Sequence, residues 1–197
     1  VLSPGGGTLS YASAGNIDLQ QGTAILWVQP RDLASARAPV FLLSAAQGDA
    51  SLALLWEGKQ RTLRFAVGRQ GRTVEVVKPA YDWTEPTWHY LVATWSPAGP
   101  ALYVDGQAAA APRPGVGTTH GDQITLGGDC GGTASLSIRS LTLLSTPLTA
   151  DQVQEKHRVA MSGQVQHERP LLTVGQCAKP PTVDGKVVDA EWAAAGG

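Results

Sequence analysis

Residues 23–29 carry apolar side chains on both faces of an extended segment, Ile25 and Trp27 on one and Leu26 and Val28 on the other, before Pro30 ends the run. A strand apolar on both faces is one packed between two layers. Similar runs predict strands over 40–46, 51–57, 62–67 and 73–78, separated by Gly48-Asp49, Gly58-Lys59 and Gln70-Gly71. Turn signals recurring about every 10 residues are the rhythm of a β-sandwich. The longest aromatic-rich strand is predicted over 88–95 (WHYLVATW), and the run 101–104 leads into Asp105-Gly106. An Asp-Gly pair after an extended run marks a tight hairpin, because both central positions need positive φ. Strands over 123–126 and 134–144 complete a set of about ten.

The period changes once. Thr149-Ala-Asp-Gln152 has the capping-box spacing, and Val153, His157 and Ala160 follow at helical intervals, so a helix is expected from there to Arg158 or Met161. Ser162-Gly163 ends it. Beyond, the chain is polar as far as Pro170, and Lys179-Pro180-Pro181 forms a stiff extended link. We therefore expect a first domain over 1–163, a linker over 164–180 and the start of a second domain over 181–197. No internal repeat is visible.

Composition narrows the function classes. With 15 Lys+Arg against 16 Asp+Glu the chain has a net charge of -1, so nucleic acid and anionic membrane surfaces are poor partners. Glycine and proline are abundant, 23 and 13 residues, as suits strands joined by tight turns. No apolar stretch approaches the roughly 18 residues of a membrane helix. The chain starts at Val1 without a basic-then-apolar leader, which fits a processed secreted protein or an excised fragment. Cys130 and Cys177 have no metal-type spacing. A disulfide between them is the preferred reading and would stabilise the fold by about 4 kcal/mol; two free thiols are the alternative.

Gly22-Thr-Ala-Ile-Leu-Trp-Val-Gln-Pro30 resembles the second strand of the laminin-G-like, concanavalin A-like jelly rolls. Residues 88–95 followed by Leu102-Tyr-Val-Asp-Gly106 resemble the central hairpin of that family, and Ile124-Thr-Leu-Gly-Gly128 its next strand. Residues 136–144 and 146–153 resemble its last strand and closing helix. The matches run in order from residue 1 to about 161. They imply an all-β, antiparallel two-sheet jelly-roll sandwich with one short C-terminal helix. Two departures weaken a calcium site: Ser96 stands where the family often has Asp, and Ile138-Arg139-Ser140 where it usually has an acidic pair. Pro180-Pro-Thr-Val-Asp-Gly-Lys-Val-Val-Asp-Ala-Glu-Trp192 resembles the opening of family 9 carbohydrate-binding modules. That second resemblance implies a fragment of a larger secreted or cell-surface protein whose neighbouring domains handle polysaccharide.

The chemistry of the residues points to binding. A glycoside hydrolase needs two carboxylates across the scissile bond, and Glu57 and Glu75 stand apart in the sequence, with no acid in the strand 88–95. There is no nucleophile elbow or phosphate loop. His89 reads as a structural residue, a general base being the other option. Glycan recognition uses aromatic faces and hydrogen-bonding side chains on a rigid frame. Trp56, Tyr81 and Trp83 are the candidate stacking platforms, with Arg64 and Asp82 bonding hydroxyls or acidic groups. Trp56 shares its face with Leu52 and Leu54, expected to be the concave one; the other readings are a core residue for Trp56 and a loop anchor for Trp83. Arg61, Arg64, Arg69 and Arg72 form either a solvated face or a site for an acidic polysaccharide. Asp122 and Asp129 are the candidate oxygen ligands should calcium (Ca2+) bind, and turn roles explain them equally. The expected function is noncatalytic glycan or polysaccharide binding; the alternative is a structural or adhesive module without a sugar site.

Overall fold

The computed structural model describes residues 9–31, 39–57, 60–80, 83, 87–116, 122–127 and 135–166. They form twelve strands and one helix: β1 (Leu9–Ala12), β2 (Gly22–Arg31), β3 (Val40–Gln47), β4 (Ala50–Glu57), β5 (Thr62–Arg69), β6 (Arg72–Pro79), β7 (His89–Ser96), β8 (Gly99–Val104), β9 (Gln107–Ala108), β10 (Arg113–Pro114), β11 (Gln123–Leu126), β12 (Ser135–Leu144) and α1 (Ala150–Gln166). All pairings are antiparallel, in a seven-stranded sheet ordered β1-β11-β3-β4-β5-β6-β10 and a five-stranded sheet ordered β12-β2-β7-β8-β9. This is the expected two-sheet sandwich. The backbone falls into two compact units, Val1–Met161 and Ser162–Gly197. The first holds every described strand, and of the second only the helical Ser162–Gln166 is described. The stretch resembling a family 9 module lies outside the described residues.

Side-chain alternation builds the core. Leu52, Leu54 and Trp56 of β4, with Leu63, Phe65 and Val67 of β5, pack inward against Leu26, Val28, Leu91, Ala93 and Trp95 of the other sheet. Trp56 thus lies between the sheets, on the core face and not on an open concave one. The reason is the period of two: Trp56 is in phase with Leu52 and Leu54, which no other layer could bury. The second face of β2, with Ile25 and Trp27, packs with Tyr90, Val92 and Tyr103 beneath Val153 and Ala160 of α1. Both faces of β2 are therefore covered, as its sequence predicts.

The turns follow their chemistry. Arg69 and Arg72 pair across Gln70-Gly71, whose φ angles are 49° and 71°, and Val104 and Gln107 pair across Asp105-Gly106, at 51° and 77°. Positive φ at both central residues is the type I′ signature, whose twist matches that of the strands. The capping box forms as read: the Gln152 amide donates to Thr149 Oγ1 and the Thr149 amide to Gln152 Oε1. The helix runs to Gln166, past the expected end at Arg158 or Met161.

Candidate functional site

Three strands place a charged cluster on the outer face of the seven-stranded sheet. Glu57 of β4, Thr62 and Arg64 of β5 and Glu75 of β6 all alternate away from the core-facing Trp56, Leu63 and Val76. The Arg64 guanidinium lies between two carboxylates, with Nε 3.6 Å from Glu57 Oε1 and Nη1 3.4 Å from Glu75 Oε2. Arg113 of β10 stands opposite Glu75 and donates from Nε to its Oε1 at 3.1 Å. Glu75 is only 6% exposed, whereas the Arg113 side chain is 62% exposed and forms the outer rim. Gly115 closes the cluster: a Cβ there would sit 2.7 Å from Glu75 Cγ and 2.8 Å from its Cβ.

The charges balance, yet the hydrogen bonding is incomplete. Glu75 Oε2, Arg64 Nε and Thr62 Oγ1 are buried without a hydrogen-bond partner among the described residues. Leaving a buried polar group unsatisfied costs about 1–3 kcal/mol, more when it is charged. All three atoms are enclosed, and the two charged ones keep their ion-pair contacts, Arg64 Nε with Glu57 Oε1 and Glu75 Oε2 with Arg64 Nη1.

A second constellation plugs the same end of the sandwich. Trp56 stacks on Trp83 (5.5 Å, 11°) and Trp83 on His89 (4.2 Å, 6°). His89 Nδ1 bonds Asp105 Oδ2 at 2.8 Å, while Asp105 Oδ1 accepts the Tyr90 amide. Burial pushes the Asp105 carboxyl up, but the His89 hydrogen bond, the Tyr90 amide and the nearby imidazoles of His89 and His157 outweigh it, holding the group below the usual carboxylate range.

The residues singled out in the sequence are distributed unevenly over these features. Arg64 sits at the centre of the charged cluster. Trp56 and Trp83 are 2% and 8% exposed, with their ring faces engaged by one another and by His89, so neither presents the open platform expected for stacking on a sugar. Tyr81, Asp82, Asp129, Cys130 and Cys177 lie outside the described residues. Asp122 Oδ1 accepts the Gly48 amide at 3.1 Å, a role in the β3–β4 turn. Among the described residues no group of three or more His, Cys, Asp or Glu is placed to hold a metal ion.

The arginine cluster is split by the pleat. Arg69 is on the opposite face from Arg64 and donates to the carbonyls of Leu19, Gln20 and Ser96. Glu57 and Glu75, isolated in the sequence, share one guanidinium. The β4–β5 register, with Leu55 opposite Arg64, brings Glu57 there, and the Gln70-Gly71 turn brings Glu75. Pairing Arg69 with Arg72 puts Glu75 opposite Ala66, one diagonal step from Arg64 on the same face.

Residues 4–154 match a family model described as the concanavalin A-like lectin/glucanases superfamily. The chain belongs to this superfamily. No curated protein sequence matches it significantly. Among solved structures this concanavalin A-like chain is similar to the binding domain of botulinum neurotoxin serotype D, at 12% identity and TM-score 0.63, over 81% of this chain and 42% of that one. It is also similar to the binding domain of botulinum neurotoxin DC in complex with rat synaptotagmin II, at 10% identity and TM-score 0.59, covering 77% and 40%. A third is the structure titled "Cell entry of botulinum neurotoxin type C is dependent upon interaction with two ganglioside molecules", at 9% and 0.60, covering 77% and 39%. The chain spans about two-fifths of the length of these proteins. At such identities the likeness concerns the fold. Among the described residues no helix of this concanavalin A-like domain is long and apolar enough to cross a membrane.

Proposed function

We propose that this domain is a noncatalytic glycan-binding module of a larger secreted or cell-surface protein, with its site at the Glu57–Arg64–Glu75 cluster. The observation that carries the reading is the charged cluster itself, Arg64 held between Glu57 and Glu75 with the Arg113 side chain 62% exposed at its rim. Arg64 supplies the central donor. Tyr81 and Asp82, which lie outside the described residues, are retained in this reading as the stacking ring and the hydrogen-bonding carboxylate that the sequence suggests. Trp83 is tied to the residue that follows β6: its amide donates to the Ala80 carbonyl, and the Ala80 amide donates to the Arg61 carbonyl. Trp56 and Trp83 thereby support the site from within.

Binding is favoured over hydrolysis by the engagement of both glutamates with Arg64, since a glycosidase needs one carboxyl positioned to protonate the leaving oxygen. The superfamily membership supports the reading, and so does the fold shared with a toxin domain whose title names gangliosides. In the larger protein, residues 164–180 would be the linker and 181–197 the start of the next module. A glycan array probed with the wild type and with Arg64→Ala tests the proposal. Retention of a discrete set of glycans, lost in Arg64→Ala while the variant still unfolds cooperatively, is expected; equal retention by both proteins would remove the site.

The structural or adhesive reading rests on a different observation. Edge strand β1 presents Leu9 and Tyr11, the latter 55% exposed, along the margin of the seven-stranded sheet. Under that reading Tyr11→Ser weakens association with a protein partner, and the wild type retains no glycan from the array.

A further inference from the structure

We infer that β1 is an exchangeable strand: at high concentration a second copy of this chain lays its β1 on the β11 of the first and receives the first copy's β1 in return. The inference concerns one margin of the seven-stranded sheet and is independent of the glycan reading. β1 pairs with β11 and with no other strand among the described residues. All four of its residues are exposed, and Leu9 and Tyr11, opposite the core-facing Leu126 and Ile124, join neither apolar cluster. A strand held by one ladder, with little apolar burial, is among the first parts of a fold to open.

The strand it leaves needs covering again. Ile124 and Leu126 are buried, and release of β1 bares their backbone along one edge. That edge already specifies its partner: Leu9 stands against Leu126, Ser10 against Thr125, Tyr11 against Ile124 and Ala12 against Gln123. A second copy is the occupant because it carries that same segment, and exchange repeats in each copy the contacts that the single chain makes. No new recognition surface is required.

The connection to β2 shows where the chain would swing. Beyond Asn16 it is fastened: Ile17 packs on the core, Leu19 is buried, Trp95 Nε1 donates to the Asp18 carbonyl at 2.8 Å and Arg69 to the Leu19 carbonyl at 3.0 Å. The hinge is therefore Ser13–Asn16, four residues that span about 13 Å when extended. In the closed chain they form a tight turn. The Ser13 carbonyl accepts the amides of Asn16 and Ile17, the Asn16 side chain donates to the Ala12 carbonyl, and Gly15 has a φ of 77°. This turn carries a defect: Ser13 is fully buried, yet its hydroxyl has no hydrogen-bond partner among the described residues. Extending the hinge lets that hydroxyl meet water, and short, strained hinges favour exchange over closure. At low concentration closure within one chain wins, because its own β1 is always near; a second copy competes as concentration rises.

The test is sedimentation of the full chain across a concentration series, where a slowly exchanging dimer should appear at the concentrated end. Gly15→Ala should raise the association constant about tenfold, because a side chain at positive φ strains the closed turn of both copies. The space beside Gly15 is open, so the substitution acts on the backbone alone. Ser13→Ala should lower the constant about tenfold by removing the unpartnered hydroxyl from the closed form. A cross-link then identifies the exchange. Ser10→Cys and Thr125→Cys face each other across β1 and β11; they are combined in a chain whose Cys130 and Cys177 are replaced by serine, and separated monomer and dimer are oxidised. The monomer should lock within one chain, and the dimer should run as a covalent dimer without reductant.

A dimer whose cross-link stays within each chain would overturn the exchange, since β1 would then have remained in place. A chain that is monomeric throughout the series, Gly15→Ala included, would overturn it too. So would hinge variants that move the association constant in the same direction, because the strain of the turn would then not set the balance.

Discussion

His89 uses one ring nitrogen to hold Asp105 and leaves Nε2 buried without a partner among the described residues. Because the Asp105 carboxyl titrates below its ordinary value of about 3.9, its contribution is complete above that pH and is lost as pH falls through the folded value. Urea melts taken from pH 7 to pH 2.5 should show Asp105→Asn losing less stability on acidification than the wild type; parallel pH profiles would refute this. The side chain is 43% exposed, so solvent screens the pair and the effect is modest. Trp83 has the larger structural role, filling the gap between Trp56 and His89. Trp83→Ala should cost about 3–5 kcal/mol, measured as a fall in the urea midpoint. From the sequence each tryptophan reads either as a stacking platform or as packing, Trp56 in the core and Trp83 as a loop anchor, and for Trp83, between prolines, nothing local decides. Its neighbours in the stack come from residues 56 and 89, and only tertiary structure brings them together.

Most elements were legible because their signal is local. Period-two runs located nine of the strands, the Asp-Gly and Gln-Gly pairs fixed their turns, and the capping box placed the start of α1. Thr149→Ala removes the hydroxyl that accepts the Gln152 amide and should destabilise the domain by about 1 kcal/mol, read as a small drop in melting temperature. Strands β1, β9 and β10 were not read. Two of them are two residues long, and β10 includes a proline. They exist because a partner strand offers hydrogen bonds: β1 pairs with β11, more than a hundred residues away. The charged cluster falls between these cases. The Gln70-Gly71 turn already fixes the register that joins Glu75 to Arg64, but reading it requires counting across the hairpin and not along a single strand.

At the scale of the molecule, the sandwich is closed by partners distant in sequence. β2 is flanked by β7 and by β12, pairing Thr23 with Leu144 at one end and Arg31 with Ser135 at the other. Loops this long must close before the contacts reward them, so folding is expected in about milliseconds to seconds. Stopped-flow refolding with tryptophan emission reads this directly, and complete recovery within about 100 microseconds would contradict it. Gly22 marks the junction of the three strands. A Cβ there would lie 2.5 Å from Trp95 Cζ2 and 2.8 Å from the Leu144 carbonyl, so Gly22→Val should abolish cooperative unfolding.

The two margins of the seven-stranded sheet are unlike. One ends in Arg113–Pro114, short and lacking an amide hydrogen at Pro114; the other is β1, whose residues are exposed and which has no strand beyond it among the described residues. Proline and charge blunt a margin, whereas an open strand invites addition. Through this sheet, crowding would therefore join two copies back to back along β1 and stop. A stack that grows from head to tail needs two receptive margins, and this sheet has one.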